Sequence, residues 1–346
     1  MGKGTIRQHF VPRTYLKNFG IVGKKKVQVY VYDKENERNF LTNTAKIAVQ
    51  KHFYSLEGKT IEEQQMIEKF YADNIESDYE EVYELLTDAS KIQITDDEKY
   101  KIVTTILSIY YRNPIWVNKH NEVWKSALTE SYRLLENSKE KKIQLPDGEF
   151  VDCENKSLED VIEEVRQKHH QAYLLEHLKY TFMLVNARLD DSITVIKLSG
   201  DHEFITSDNP VIMSNMDGSK IIPFDKDNFI RLPIDNKHQV IISPKSISGS
   251  KEENNVILRR FDNENISSME SMILNTQEYD NALTYIIGNE SGVNGYLRNK
   301  PLYERTVTPK ELEDDKKALI KLKELLEPLK FDKELLEAIE KFFGKF

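Results

Sequence analysis

Residues 192–198 read Ser-Ile-Thr-Val-Ile-Lys-Leu, and they mark the place where the spacing of apolar residues changes from helical to strand-like. Short runs rich in β-branched residues favour strands, and Asp, Asn, Gly and Pro separate the runs that follow. The sequence therefore predicts a small, mostly antiparallel sheet of about four to five strands. Its further strands are expected at residues 203–206, 211–213, 229–233 and 239–243.

Helical patterns lie on both sides of this sheet. Thr60 with Glu63, and Thr95 with Glu98, have the spacing of capping boxes, in which each side chain satisfies a backbone N–H of the other residue. Pro114 should end or bend the second helix. Helices are predicted at residues 60–88, 95–137, 157–188 and 265–287.

The N-terminal part adds a hairpin. Apolar and polar residues alternate over residues 26–33, and a partner strand is expected at 38–41. Helices and strands are thus segregated along the chain, which is typical of an α+β fold. We predict long helices with a small, mostly antiparallel sheet and an N-terminal hairpin.

The chain has 346 residues, enough for one large domain or two small ones. We expect a single α+β domain over residues 1–308, with its best internal break in the charged, turn-rich loop 138–156. Residues 309–346 predict amphipathic helices broken at Pro328. Their apolar face packs on the protein's own core or serves self-association.

The charge balance limits the kinds of partner. Lys and Arg number 49 and Asp and Glu number 58, a formal net charge of −9. Such a surface disfavours nonspecific binding to nucleic acid, although a local basic cleft can still take a nucleic acid or nucleotide. Residues 1–10 lack the apolar core of a signal peptide, and no run reaches the ~18 apolar residues of a membrane helix. We expect a cytoplasmic protein with no membrane partner.

The sequence lacks the residues that several common types of functional site require. Cys153 is the single cysteine, so an internal disulfide and a cysteine-based zinc site cannot form. The glycine-rich phosphate and dinucleotide loops, His-Glu-x-x-His and Gly-x-Ser-x-Gly do not occur in the sequence. His169, His170 and His177 share one predicted helix without metal-binding spacing, and we interpret them as surface residues. The cofactor therefore stays open: a divalent metal is one candidate, without a recognised ligand set.

A polar motif opens the chain at residues 8–19, Gln-His-Phe-Val-Pro-Arg-Thr-Tyr-Leu-Lys-Asn-Phe. Pro12 can begin a short helix whose face carries Tyr15 and Phe19, which we expect to anchor in the core. His9 has two interpretations. It either bonds a buried carbonyl and fixes the N-terminus, or acts as a general acid or base, since histidine titrates near neutrality.

A second motif lies at residues 204–211, Phe-Ile-Thr-Ser-Asp-Asn-Pro-Val. Turn chemistry explains Asn209 and Pro210, because Asn bonds its own backbone and Pro fixes the next φ. It explains Ser207 and Asp208 less well. We therefore take Asp208 as a candidate catalytic or metal-binding carboxylate, and Ser207 and Asn209 as candidate substrate-binding residues.

A third motif, Tyr-Tyr-Arg-Asn-Pro at residues 110–114, places Arg112 at the predicted helix break. Its guanidinium is a fixed fork that suits a carboxylate or phosphate. A buried structural pair between Arg112 and an aspartate is the equal alternative.

Together these motifs resemble the signature of the domain-of-unknown-function 4238 family, which is found mainly in bacteria. The resemblance spans roughly residues 7–290 and supplies no reaction. It is carried by the opening motif at 9–19, the aromatic pair Phe53-Tyr54, the Arg-x-Pro step at 112–114, Thr-Ser-Asp-Asn-Pro at 206–210 and the Ser-Pro step at 243–245.

Two functional hypotheses follow. The first is a nuclease-like hydrolase of a phosphodiester or nucleotide, in a bacterial defence or toxin setting. His9 would be the general acid or base, Asp208 would bind a metal or orient His9, and Arg112, Ser207 and Asn209 would bind the substrate. The second is a non-catalytic binding or regulatory module whose motifs are structural. Convergence of His9, Arg112 and Asp208 in one cleft favours the first hypothesis.

Overall fold

The computed structural model describes residues 7–22, 26–56, 58–135, 141–145, 148–215, 224–244 and 255–303. The predicted capping boxes at Thr60 and Thr95 are both present, and Ser157 forms a third with Asp160. Within the described ranges the helices are α1 (Arg13–Leu16), α2 (Ile61–Gln64), α3 (Met66–Asn74), α4 (Tyr79–Thr87), α5 (Asp96–Tyr111), α6 (Pro114–Leu135), α7 (Leu158–Arg188), α8 (Glu264–Asn281) and α9 (Glu290–Tyr303).

The strands build two five-stranded sheets and two small ribbons in the part of the chain that is described. They are β1 (Arg7–His9), β2 (Ile21–Val22), β3 (Val27–Asp33), β4 (Arg38–Asn43), β5 (Val49–Lys51), β6 (Lys142–Gln144), β7 (Phe150–Asp152), β8 (Ser192–Lys197), β9 (Thr206–Ser207), β10 (Ile212–Asn215), β11 (Asn228–Pro233), β12 (His238–Ser243), β13 (Ile257–Phe261) and β14 (Tyr285–Gly288).

The first sheet contains four of the five predicted strands, together with β13, which was not predicted; the predicted strand at 203–206 is not part of it. Its strand order is β10-β11-β12-β8-β13, antiparallel except for the β13–β8 pair. Paired residues such as Val195 and Val240 point to the same face of the sheet. That face joins a core cluster with Ile106 of α5 and Leu184 of α7. The α+β prediction is therefore confirmed.

The second sheet joins the two ends of the described chain. Its order is β2-β3-β14-β9, and β4 pairs with β3 along Gln28–Asp33 in the predicted hairpin. Strand β9 carries the Thr206–Ser207 motif and pairs with β14, not with the first sheet. The strand at 285–288 corrects the predicted helix 265–287: α8 ends at Asn281, and the chain then turns and extends.

Two further predictions were wrong in detail. The predicted helix 60–88 is divided into α2, α3 and α4, with a 3₁₀ turn at Glu76–Asp78 before α4. The predicted loop 138–156 contains the ribbon β6–β7. Ile143 and Val151 of this ribbon are buried in a small core that also contains Leu128 of α6 and Val161 of α7. The predicted C-terminal helices at 309–346 lie outside the described residues.

Cys153 is buried in that small core, and burial raises the pKa of its thiol, as expected for an unreactive cysteine. Across the described ranges, none of the helices is both long and apolar enough to pass through a membrane.

Candidate functional site

Two residues at the end of α5 contact the opening motif at 9–19 and the motif at 206–210. The side chain of Arg112 donates from Nη2 to the backbone carbonyl of His9 at 2.8 Å. The next side chain, Asn113, donates from Nδ2 to the backbone carbonyl of Asp208 at 2.7 Å. The two predicted catalytic residues are therefore brought together through their backbones. We call His9, Arg112, Asn113 and Asp208 the signature clamp.

Both terminal nitrogens of the Arg112 guanidinium have hydrogen-bond partners, whereas its buried Nε has none among the described residues. It is 2% exposed, and Nη1 pairs with Glu76 at 2.7 Å. The ring centroid of Tyr71 lies 4.2 Å from its central carbon, a cation–π contact. The hydroxyl of Tyr54 donates to the Arg112 carbonyl at 2.8 Å. This geometry is that of a buried structural arginine, the alternative that the sequence left open; its predicted substrate role stays a prediction.

The carboxylate of Asp208 holds the chain that leads into β14. One oxygen accepts the N–H of Leu283 at 2.8 Å, and the other accepts those of Thr284 and Tyr285 at 2.9 and 3.1 Å. Burial raises the pKa of Asp208 to about 6, although these three N–H donors act in the opposite direction. No hydrogen bond joins Asp208 to His9 among the described residues, so its predicted catalytic role stays a prediction.

The neighbours of Asp208 are also bound internally. Ser207 donates from Oγ to Glu278 at 2.7 Å, and Glu278 is fully buried. Burial raises the pKa of Glu278 well above its usual range. Asn209 and Asn281 each donate a side-chain N–H to the backbone carbonyl of the other. The substrate-binding roles predicted for Ser207 and Asn209 are not tested by this arrangement, and these side chains already have partners.

The apolar part of the opening motif confirms the predicted anchor. Tyr15 and Phe19 have no exposed surface, and their ring centroids lie 5.4 Å apart. The Tyr15 hydroxyl is hydrogen-bonded to Thr206 and donates to the carbonyl of Pro233. The anchor thus links α1 to both sheets.

His9 has one ring nitrogen without a hydrogen-bond partner among the described residues. Its ring is half-buried, and Nε2 is shielded from solvent and has no hydrogen-bond partner in the described structure. Burial, and then the positive charge of Arg13, lower the pKa of His9 to about 4, although a bond to the backbone of Thr44 acts in the opposite direction. His9 is therefore neutral at physiological pH.

Several basic residues lie on the elements next to His9. Strand β1 pairs with β5 in a register that places Arg7 opposite Lys51 and His9 opposite Val49. Paired residues and residues two apart share a face, so Arg7, Lys51 and His9 lie on the same side of this ribbon. Arg13 is the first residue of α1, which follows β1 after three residues.

Lys46 completes the group from the 3₁₀ turn that His9 contacts at Thr44. We call Arg7, Arg13, Lys46 and Lys51 the basic ribbon. All four are exposed, and none forms an ion pair within the described ranges. Sequence reasoning missed this group because its members are scattered singly along the first 51 residues.

A metal centre finds no support in the described part of the chain, where no group of three or more His, Cys, Asp or Glu side chains could hold an ion.

His177 corrects the interpretation of the α7 histidines as surface residues. It is 2% exposed, and its Nε2 is hydrogen-bonded to the Tyr71 hydroxyl at 2.8 Å. The rings of Tyr54 and Tyr173 stack on it with centroids 6.2 and 5.9 Å away. The helix turns this position inward, against the aromatic residues that surround Arg112.

The buried His177 predicts acid lability. Burial lowers the pKa of His177 to about 4, against about 6.5 for an unfolded histidine. Because the folded pKa is the lower one, stability is complete above pH 6.5 and is lost as the pH falls towards 4, by about 3 kcal/mol. In urea denaturation between pH 7 and 4.5, His177→Gln should lose less stability than the parent. The exposed His52→Gln should follow the parent; equal slopes for all three proteins would contradict the assignment.

Comparisons with known proteins agree with the signature. No curated protein and no solved structure matches the chain. The model of the family described as "Protein of unknown function (DUF4238)" matches residues 7–292. This range contains both motifs and the Arg112 step, so the resemblance seen in the sequence is confirmed. The chain belongs to the DUF4238 family.

Proposed function

We propose that the protein binds a phosphodiester or nucleotide on the basic ribbon and hydrolyses it with His9 as the acid–base group. The observation that carries this proposal is the placement of four exposed cations without ion-pair partners in the described structure, around a neutral histidine, on a chain of net charge −9. Phosphate neutralisation is the main source of affinity for nucleic acids and nucleotides.

The register of the ribbon supports an anionic ligand. Arg7 and Lys51 are directly opposite on neighbouring antiparallel strands. Like charges in this position destabilise a strand pair, because their side chains start only ~5 Å apart. A phosphate placed between the two side chains removes the repulsion and gains hydrogen bonds from both.

The state of His9 supports a proton-transfer role. A neutral imidazole with an unpartnered nitrogen accepts a proton without first losing an internal bond. Nε2 lacks solvent contact, so the ring has to turn when the substrate binds. The charges of Arg13 and Arg112 help to lower the pKa of His9, so a bound phosphate raises that pKa towards neutrality, where acid–base catalysis is most effective.

The signature clamp enters this proposal as the scaffold of the site. Arg112 fixes the backbone of His9 by its bond to the carbonyl. The next residue, Asn113, fixes the backbone of Asp208 in the same way. A direct catalytic role for Asp208 would require its carboxylate to give up bonds to three backbone N–H groups, which costs about 1–3 kcal/mol for each donor left unsatisfied. We therefore assign Arg112 and Asp208 to positioning.

The second candidate is a non-catalytic module that binds the same ligand. It is favoured by the internal partners of Arg112, Ser207, Asp208 and Asn209, which leave most of the signature with a structural role. Both candidate functions place the ligand on the basic ribbon, and only the first includes hydrolysis of that ligand.

Binding is tested by fluorescence anisotropy with a labelled DNA duplex, the matching single strand and a labelled nucleotide, over a range of salt concentrations. The double change Arg7→Gln with Lys51→Gln should weaken binding on the order of tenfold or more and reduce the slope of log affinity against log salt by about 2. Arg133→Gln, an exposed arginine of α6, is the control and should bind like the parent. Unchanged binding in the double variant would overturn the proposal.

Turnover is tested on whichever of these ligands binds, with and without divalent metal. His9→Gln should retain binding and lose hydrolysis. If the parent binds without turnover under all these conditions, the non-catalytic candidate is the correct one.

A further inference from the structure

A second histidine, outside the signature, is held by a buried carboxylate. His238 begins β12, and Asp235 lies in the turn before it. The Nδ1 atom of His238 lies 2.9 and 3.1 Å from the two carboxylate oxygens of Asp235. Asp235 is 5% exposed and also accepts the hydroxyl of Tyr83 at 2.7 Å. The carboxylate thus fixes the plane of the imidazole ring.

This contact decides where the ring proton lies. Burial by itself would raise the pKa of Asp235, but the bonds from His238 and Tyr83 outweigh burial and hold that pKa below its usual range. The carboxylate is therefore ionised and can only accept, so Nδ1 of His238 carries the proton. In the neutral ring the lone pair is then on Nε2, which has no hydrogen-bond partner in the part of the chain that is described.

His238 lies beside a basic residue of the neighbouring strand. His238 and Lys197 are paired residues on β12 and β8, so their side chains leave the same face of the sheet. They line a small cleft together with Thr87, Arg259 and Phe261. Lys197 is exposed and Phe261 is 61% exposed, so the cleft is open to solvent on that side.

A turn cap accounts for only part of this arrangement. Asp235 also accepts the backbone N–H groups of Lys237 and His238 at 2.6 and 2.7 Å, as a capping aspartate does in a hairpin. That role explains the position of the carboxylate. It does not explain an imidazole whose Nδ1 proton is fixed and whose Nε2 has no partner among the described residues, in a cleft that Lys197 also lines.

We propose that His238 is a phosphoryl-acceptor residue, whose Nε2 takes a phosphoryl group from a small donor with a good leaving group. With phosphoramidate as donor, the Nε2 lone pair forms the N–P bond. The P–N bond of the donor breaks, and its electron pair leaves with ammonia. Nδ1 keeps its proton throughout, and Asp235 stabilises the positive charge that develops on the ring. Lys197 lies where it can neutralise the phosphoryl oxygens.

The parent protein itself supplies the first test. It is treated with phosphoramidate at neutral pH, and the modified positions are mapped over time by mass spectrometry under non-acidic conditions, with ³¹P NMR to identify the nitrogen. His238 should be modified first, at least about tenfold faster than the exposed His52. Modification of His238 no faster than His52 would overturn the proposal.

Two variants then separate an oriented nucleophile from a merely accessible one. Lys197→Gln should slow the modification of His238 severalfold, whereas Lys226→Gln, an exposed lysine that does not line the cleft, should leave it unchanged. Asp235→Asn should slow it at least about tenfold, because the ring loses its fixed tautomer. Equal rates in Lys197→Gln and the parent would show that the cleft plays no part. The test is independent of ligand binding at the basic ribbon.

Discussion

Replacing Arg112 by Ala is expected to lower the free energy of unfolding by about 3–5 kcal/mol, the usual cost of removing one partner of a buried ion pair. The change leaves Glu76 without its cation and the carbonyl of His9 without its donor. It also removes the guanidinium that covers the ring of Tyr71. Glu76 is 25% exposed and can be partly hydrated, so the lower end of the range is expected. Urea denaturation at neutral pH measures the loss.

Two further arginine variants make this result specific. Arg112→Lys keeps the charge but loses the fork that reaches Glu76 and His9 together, so it should still be clearly less stable than the parent. Arg133→Ala removes an exposed arginine whose ion pair is 3.8 Å long, and should change stability by less than about 0.5 kcal/mol. If Arg112→Ala were as mild as Arg133→Ala, the signature clamp would not be a structural element.

Replacing Asp208 by Asn should cost about 2–4 kcal/mol at neutral pH. The amide has one acceptor oxygen, whereas the carboxylate serves the N–H groups of Leu283, Thr284 and Tyr285. At least one buried N–H then lacks a partner, and the amide N–H₂ group faces other donors. Urea denaturation of the two proteins measures the cost, and the exposed Asp201→Asn provides a control that should stay within about 0.5 kcal/mol of the parent.

The stability difference between the parent and Asp208→Asn should also depend on pH. The pKa of Asp208 is about 6 in the folded protein and about 3.9 in an unfolded chain. A raised folded pKa means that the contribution of this group is complete below pH 4 and declines as the pH rises through 6, by roughly 3 kcal/mol. The stability difference between the parent and Asp208→Asn should therefore be larger at pH 4 than at pH 7. A difference that grows from pH 4 to pH 7 would contradict the raised pKa.

Much of the fold follows from local sequence patterns. Capping residues such as Thr60 and Thr95, and the alternation in β3, act within a few residues, so their structural effect can be predicted without knowing the rest of the chain. The strand β14 was missed because Tyr-Ile-Ile-Gly at 285–288 is short and follows a helix closely. Its extended shape depends on pairing with β3 and β9, which lie far away in the sequence.

The contacts at the candidate site could not be predicted from the sequence. Arg112 bonds the carbonyl of His9, and its neighbour Asn113 bonds the carbonyl of Asp208, so both bonds reach the backbone. Every residue has a carbonyl, so the identity of a residue does not reveal such a contact. Asn113 was overlooked for this reason, and no role was predicted for it from the sequence.

The pairing of β3 with β14 also sets a limit on when the protein can fold during synthesis. Tyr32 lies opposite Ile286, so the central pair of the second sheet joins residues made 254 positions apart. A ribosome that adds about 5–20 residues per second needs roughly 13–50 seconds to cover that distance. Throughout this interval, β2 and β4 are the partners of β3 that have already been made, and the backbone edge that later pairs with β14 is open. The side chains of Val29 and Val31, which are fully buried in the finished protein, also lack part of their cover. The nascent chain therefore presents a strand edge of the kind that chaperones protect from aggregation.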